Sequence, residues 1–133
     1  MTTEGRLSHV EIYVSDLSTA AEFYEWFLGE LGYRPYQEWD LGRSWKLDDA
    51  YLVIVQVAQD YSDPAFHRRR VGLNHLAFHA ASAERVDSMR DELAQRGVPI
   101  LYDSPHSGAT PYALYFEGPD RLKLEYVWEG AHE

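Results

Sequence analysis

From Leu7 to Val14 the chain alternates, with Val10, Ile12 and Val14 on one side and Leu7, His9, Glu11 and Tyr13 on the other. That period of two marks a strand with one apolar face. The period then changes: Ala20, Phe23, Tyr24, Phe27, Leu28 and Leu31 follow helical spacing behind a cap at Asp16 or Ser18, and Gly32 stands where a helix would stop. Three short apolar-aromatic runs follow, Tyr33 to Leu41, Arg43 to Leu47 and Tyr51 to Ala58. Gly42 and Asp48-Asp49 break them, which predicts an antiparallel meander. Residues 7–58 therefore read as a βαβββ unit.

Residues 59–72 carry no period and contain the Asp63-Pro64 turn signal, so they read as a connector. The pattern then begins again over residues 73–128. Leu73 to Ala80 reads as a strand, and Ser82 caps a helix through Val86, Met89, Leu93 and Ala94 to Gly97. Strands follow at Val98 to Tyr102, Tyr112 to Phe116 and Leu122 to Trp128. A shift of 66 positions carries Leu7 to Leu73, His9 to His75, Ile12 to Phe78, Phe23 to Met89, Phe27 to Leu93 and Tyr36 to Tyr102. Matches on equivalent positions of equivalent elements indicate an internal repeat. The predicted class is α+β, two tandem βαβββ modules in one domain. The tail Gly130 to Glu133 reads as frayed, and its His132 as inert.

Length and composition narrow what such a chain can do. Its 133 residues suit one domain with a single core. A net charge of -10 argues against nucleic acid, whose binding rests on Lys and Arg neutralising phosphates. The basic run His67-Arg68-Arg69-Arg70 is short and reads as a solvated linker. No apolar run approaches the roughly 20 residues that span a bilayer. The start, MTTEGR, has neither the basic nor the apolar region of a signal peptide, so a cytoplasmic location with no membrane partner is expected. There is no cysteine, which leaves His, carboxylate and amide groups as metal donors.

The repeat makes His9 and His75 equivalent, and two such histidines are candidates to share a metal ion. His79 is not a natural third donor, because four residues along a strand span about 13 Å. It is expected in the wall of the site or in solvent.

The stretches LSHVEIYVSDLSTAAEFY, GLNHLAFHA and LYFEGPDRLKLEYV, set in two βαβββ modules, resemble the vicinal oxygen chelate superfamily of glyoxalase I, extradiol dioxygenases, fosfomycin resistance enzymes and bleomycin-binding proteins. The resemblance covers nearly the whole chain. It implies a cupped mixed sheet with a divalent ion (Fe, Zn, Ni, Mn or Co) on His9, Gln56, His75 and Glu125. Two imidazoles, one carboxylate and open positions form a donor set suited to such ions. The implied activity is that of a glyoxalase-like lyase or isomerase acting on a small molecule with neighbouring oxygens, and Glu125 would serve proton transfer. HSGATPYALYFEGPDRLKLE also resembles the extradiol dioxygenase signature, in which His106 and Tyr115 would be acid–base groups beside Fe(II). A non-catalytic drug-binding protein is the third reading. Relatives of this length also imply a homodimer.

Overall fold

A computed structural model describes residues 2 and 4–130; His132 lies outside them. The chain divides into two compact units, Met1–Ala65 and Phe66–Glu133. The first holds β1 (His9–Val14), α1 (Leu17–Glu30), β2 (Arg34–Trp39), β3 (Gly42–Leu47) and β4 (Ala50–Gln56). The second holds β5 (His75–His79), α2 (Ala83–Gln95), β6 (Ile100–Leu101), β7 (Tyr112–Glu117) and β8 (Lys123–Trp128). Both are the expected βαβββ units, of α+β class.

The two sheets share one topology, with strand orders β1-β4-β3-β2 and β5-β8-β7-β6. The first strand of each unit runs parallel to the last, and the other neighbours are antiparallel. In each unit the sequence thus places its opening histidine strand beside its closing strand. The helix packs on one face: Ala20, Tyr24, Phe27 and Leu28 of α1 are buried with Trp45, Leu52 and Ile54, and Val86, Met89 and Leu93 of α2 with Leu114, Phe116 and Leu124. Alternation therefore sends His9, Glu11 and Tyr13 to the face away from the helix, as β1's burial shows.

Several ends differ from expectation for local reasons. β2 stops at Trp39 because Asp40 and Leu41 turn the chain, pairing Trp39 with Gly42. Gly42 is required there, since an added Cβ would stand 2.2 Å from the Trp39 ring. β6 shrinks to Ile100–Leu101 because Tyr102 and Asp103 take left-handed backbone, with φ 60° and 52°. The basic run is not wholly solvated. Arg68 Nη1 donates to Glu117 Oε2 at 2.7 Å and to the Arg121 carbonyl at 2.8 Å, and both side chains of the ion pair are less than one-fifth exposed. Burial works against the charged Glu117, but the hydrogen bonds from Arg68 and Arg121 outweigh it and hold the carboxyl below its usual range. Among the described residues no helix is long and apolar enough to cross a membrane.

Candidate metal centre

The parallel pairing of β5 with β8 sets His75 opposite Lys123 and Ala77 opposite Glu125, all on the face turned from α2. His75 Nε2 lies 3.0 Å from Glu125 Oε1, with the side chains 33% and 11% exposed. On the other side of the ring, His75 Nδ1 lies 2.8 Å from Asn74 Oδ1. The Asn74 amide cannot be reversed, because its Nδ2 donates to the Arg68 carbonyl at 3.2 Å, and that carbonyl only accepts. His75 Nδ1 therefore carries the proton and donates it to Asn74. In the neutral ring Nε2 then presents a lone pair to a carboxylate oxygen, and the two acceptors require a cation between them, a proton or a metal ion. Donors about 2.1 Å from one ion and at right angles to each other stand about 3.0 Å apart, so the observed spacing fits a metal. A residue that fixes the far nitrogen of a ligating imidazole is a regular companion of such sites.

In the first unit the equivalent histidine is held in the same way. Ser8 Oγ lies 3.0 Å from His9 Nδ1, and the ring stacks on Tyr51 with centroids 4.5 Å apart and planes 9° from parallel. The small polar residue before each histidine was visible in the repeat, but its task, holding Nδ1, was not.

The structure moves Gln56 away from this arrangement. It pairs with Val14, at the opposite end of β1 from His9 and on the helix side of the sheet. Its Oε1 accepts from Leu17 N at 2.8 Å and its Nε2 donates to the Ser15 carbonyl at 2.8 Å. It caps α1, a task left open by Asp16, whose carboxylate accepts from Thr19 instead. Gln56 also lines a cavity of about 440 Å³ with Asp16, Ser18, Asp40 and Arg43, away from His9. The position in β4 that corresponds by register to Glu125 is Val53, opposite Glu11. Gln56→Ala should therefore lower stability by about 0.5–2 kcal/mol through the lost cap and leave metal uptake unchanged. Thermal unfolding and metal content measured on the same sample check both halves.

Tyr115 pairs with Glu125 in register and meets the His75 ring edge-on at 6.0 Å. Burial, the charge of Glu125 and a hydrogen bond to its carboxylate push the phenol up, so Tyr115 keeps its proton. His106 lies exposed in the loop before β7. His79 is 84% exposed, with Nδ1 3.1 Å from Glu129 Oε1. Among the described residues, no group of three or more His, Asp or Glu side chains is placed to hold a metal ion.

Known proteins share this architecture. Residues 6–126 match the model of the Glyoxalase/Bleomycin resistance protein/Dioxygenase superfamily. The Uncharacterized protein YqjT of Bacillus subtilis (strain 168) is 50% identical over 124 residues, which are 91% of this chain and 97% of that protein. The crystal structure of a "putative glyoxalase" from Bacillus halodurans is similar with a TM-score of 0.91 at 49% identity, over 95% of this chain and 97% of that one. The fosfomycin resistance protein FosX of Listeria monocytogenes, complexed with Mn(II) and sulfate ion, is similar in fold, with a TM-score of 0.72 at 17% identity over 95% and 91% of the two chains. With a family model matching almost end to end and a relative at half identity, the chain belongs to the Glyoxalase/Bleomycin resistance protein/Dioxygenase superfamily.

Proposed function

We propose that the protein is a metal-dependent lyase or isomerase of glyoxalase type, acting on a small molecule that binds through two neighbouring oxygens. The observation that carries this reading is the facing of His75 Nε2 and Glu125 Oε1 at 3.0 Å, with Nδ1 tied to Asn74. His75 and Glu125 are assigned as two ligands of one ion, and His9, the counterpart of His75 in the first unit, as a metal ligand by the repeat. Gln56 leaves the set. FosX, which shares the fold, is a precedent for a divalent ion. A bound divalent ion would supply Lewis acidity, polarising a substrate carbonyl.

The chain's own residues then have distinct tasks. His75 would hold the ion through Nε2, its Nδ1 being engaged by Asn74, and in the first unit Ser8 engages Nδ1 of His9 and leaves Nε2 to bind. Glu125 accepts a proton from the carbon beside the polarised carbonyl and returns it to the neighbouring carbon. Tyr115, protonated and hydrogen-bonded to Glu125, steadies that carboxylate. The ring-opening dioxygenase reading is less favoured, because its acid–base histidine, His106, is exposed in a loop. A drug-binding reading gives no task to a histidine and carboxylate so closely set.

Stripping metal with a chelator should abolish isomerisation of 2-hydroxy-carbonyl compounds. Adding back Zn, Ni, Mn or Co should restore it without oxygen uptake. Turnover that persists in metal-free protein would contradict the reading, and oxygen consumption with catechols only on Fe loading would replace it with the dioxygenase.

A further inference from the structure

Next to His75 and Glu125 the second unit presents a cation that no carboxylate neutralises. Lys123 pairs with His75 in register, so both side chains leave the sheet on one face from strands about 5 Å apart. Its Nζ donates to Tyr102 Oη at 3.1 Å and lies 5.2 Å and 5.7 Å from the ring centroids of Tyr102 and Tyr115. Among the described residues no Asp or Glu comes within 4.0 Å of it, although the chain has 22 acidic residues against 12 Lys and Arg.

The turn that supplies Tyr102 is built at a cost. Left-handed backbone costs a non-glycine residue about 1–2 kcal/mol, and here Tyr102 and Asp103 adopt it in succession. Buried Ser104 pins the turn, its Oγ donating to the Leu101 carbonyl at 2.7 Å and accepting from Tyr115 N at 2.8 Å. The outcome is a 58% exposed phenol bonded to Lys123 instead of a packed ring. Strain held at an exposed polar group beside a candidate site is a mark of function.

The first unit also sets a lysine over a tyrosine ring. Lys46, the chain's other lysine, pairs with Tyr51 and holds Nζ 4.5 Å from the Tyr36 ring centroid. Tyr36 meets Tyr51 at 5.0 Å, and Tyr51 stacks on His9. By register the counterpart of Lys123 is Tyr51 and that of Lys46 is Glu117, so the first unit carries its lysine one strand further from its histidine.

We propose that Lys123, with Tyr102, forms an oxyanion subsite that receives a carboxylate or phosphonate group of the substrate, whose neighbouring oxygens bind at His75 and Glu125. This rests on the metal reading given above. An ion of two positive charges together with Lys123 outweighs the single Glu125 carboxylate, so the loaded site attracts an anion. The compact ammonium and the Tyr102 hydroxyl, whose oxygen accepts from Lys123 and whose proton remains to donate, suit oxygen acceptors. The substrate class narrows to 2-hydroxy-carbonyl compounds that also carry a carboxylate or phosphonate group, in preference to neutral ones.

The test compares the wild-type protein with Lys123→Met, which keeps the length of the side chain and removes its charge. Both are reloaded with Mn(II), checked for metal content and titrated calorimetrically with glycolate, hydroxymethylphosphonate and neutral glycolamide. Equal metal content is expected. A hydrogen bond to a charged group should make glycolate or hydroxymethylphosphonate bind wild type about tenfold more tightly than the variant, whichever anion the site prefers, with glycolamide unchanged. Lys123→Gln should behave the same way if the Met variant folds poorly. Equal anion affinities in wild type and variant, or an equal loss for glycolamide, would overturn the inference. Wild type that takes up no metal overturns the metal reading instead. The tenfold ratio is then sought on the metal-free proteins, and its absence there overturns the subsite as well.

Discussion

Glu125→Gln should cut turnover of the metal-reloaded protein by about 10²–10⁴-fold, the usual contribution of a positioned acid–base group. The carboxylate is only 11% exposed and touches His75 and, through a hydrogen bond, Tyr115. Gln keeps the size and one oxygen acceptor, so packing around the buried Leu124 and Tyr126 should survive and the unfolding temperature should move little. What is lost is charge. An amide binds a divalent ion more weakly than a carboxylate and takes up no proton, so metal affinity and the chemical step should both suffer. Turnover measured at saturating metal separates the two. A variant that regains full turnover once enough ion is added would show that Glu125 only binds metal, and the proton transfer would need another base.

Asn74→Leu should weaken metal binding by about 10–100-fold although Asn74 never meets the ion. Its Oδ1 accepts from His75 Nδ1 and its Nδ2 donates to the Arg68 carbonyl, while Arg68 is anchored by Glu117. The chain of contacts from Glu117 through Arg68 and Asn74 to His75 fixes both the ring's orientation and its tautomer. Leu has a similar volume and no acceptor. Nitrogen NMR of the metal-free variant should then show His75 losing its preference for the proton on Nδ1. Competitive metal titration should show the weakened binding, and Asn74→Asp, which restores the acceptor, should recover part of it. Unchanged affinity with an unchanged tautomer would remove Asn74 from the site.

The repeat, the element order and the two histidines were legible in the sequence because period-two and helical patterns alternate cleanly there. Glu125 was legible through its likeness to known motifs, and alternation along KLEYVW puts Lys123 on its face. Gln56 was misplaced for a physical reason. In YLVIVQV nearly every residue is apolar, so the strand shows no phase, and only its register with β1 reveals that Tyr51 and Val53 share the face of His9 while Gln56 turns toward α1. The basic run misled for a different reason: composition marks it as solvated, yet Arg68 finds Glu117 49 residues away. Contacts of that range follow from the folded path of the chain and leave no local signature.

The central claim is that His75 and Glu125 hold a divalent ion. Elemental analysis of anaerobically purified wild type beside His75→Ala tests it most directly. The account predicts about one ion per wild-type chain and a sharp fall in the variant, with the fold retained. Equal metal content in the two proteins would contradict it.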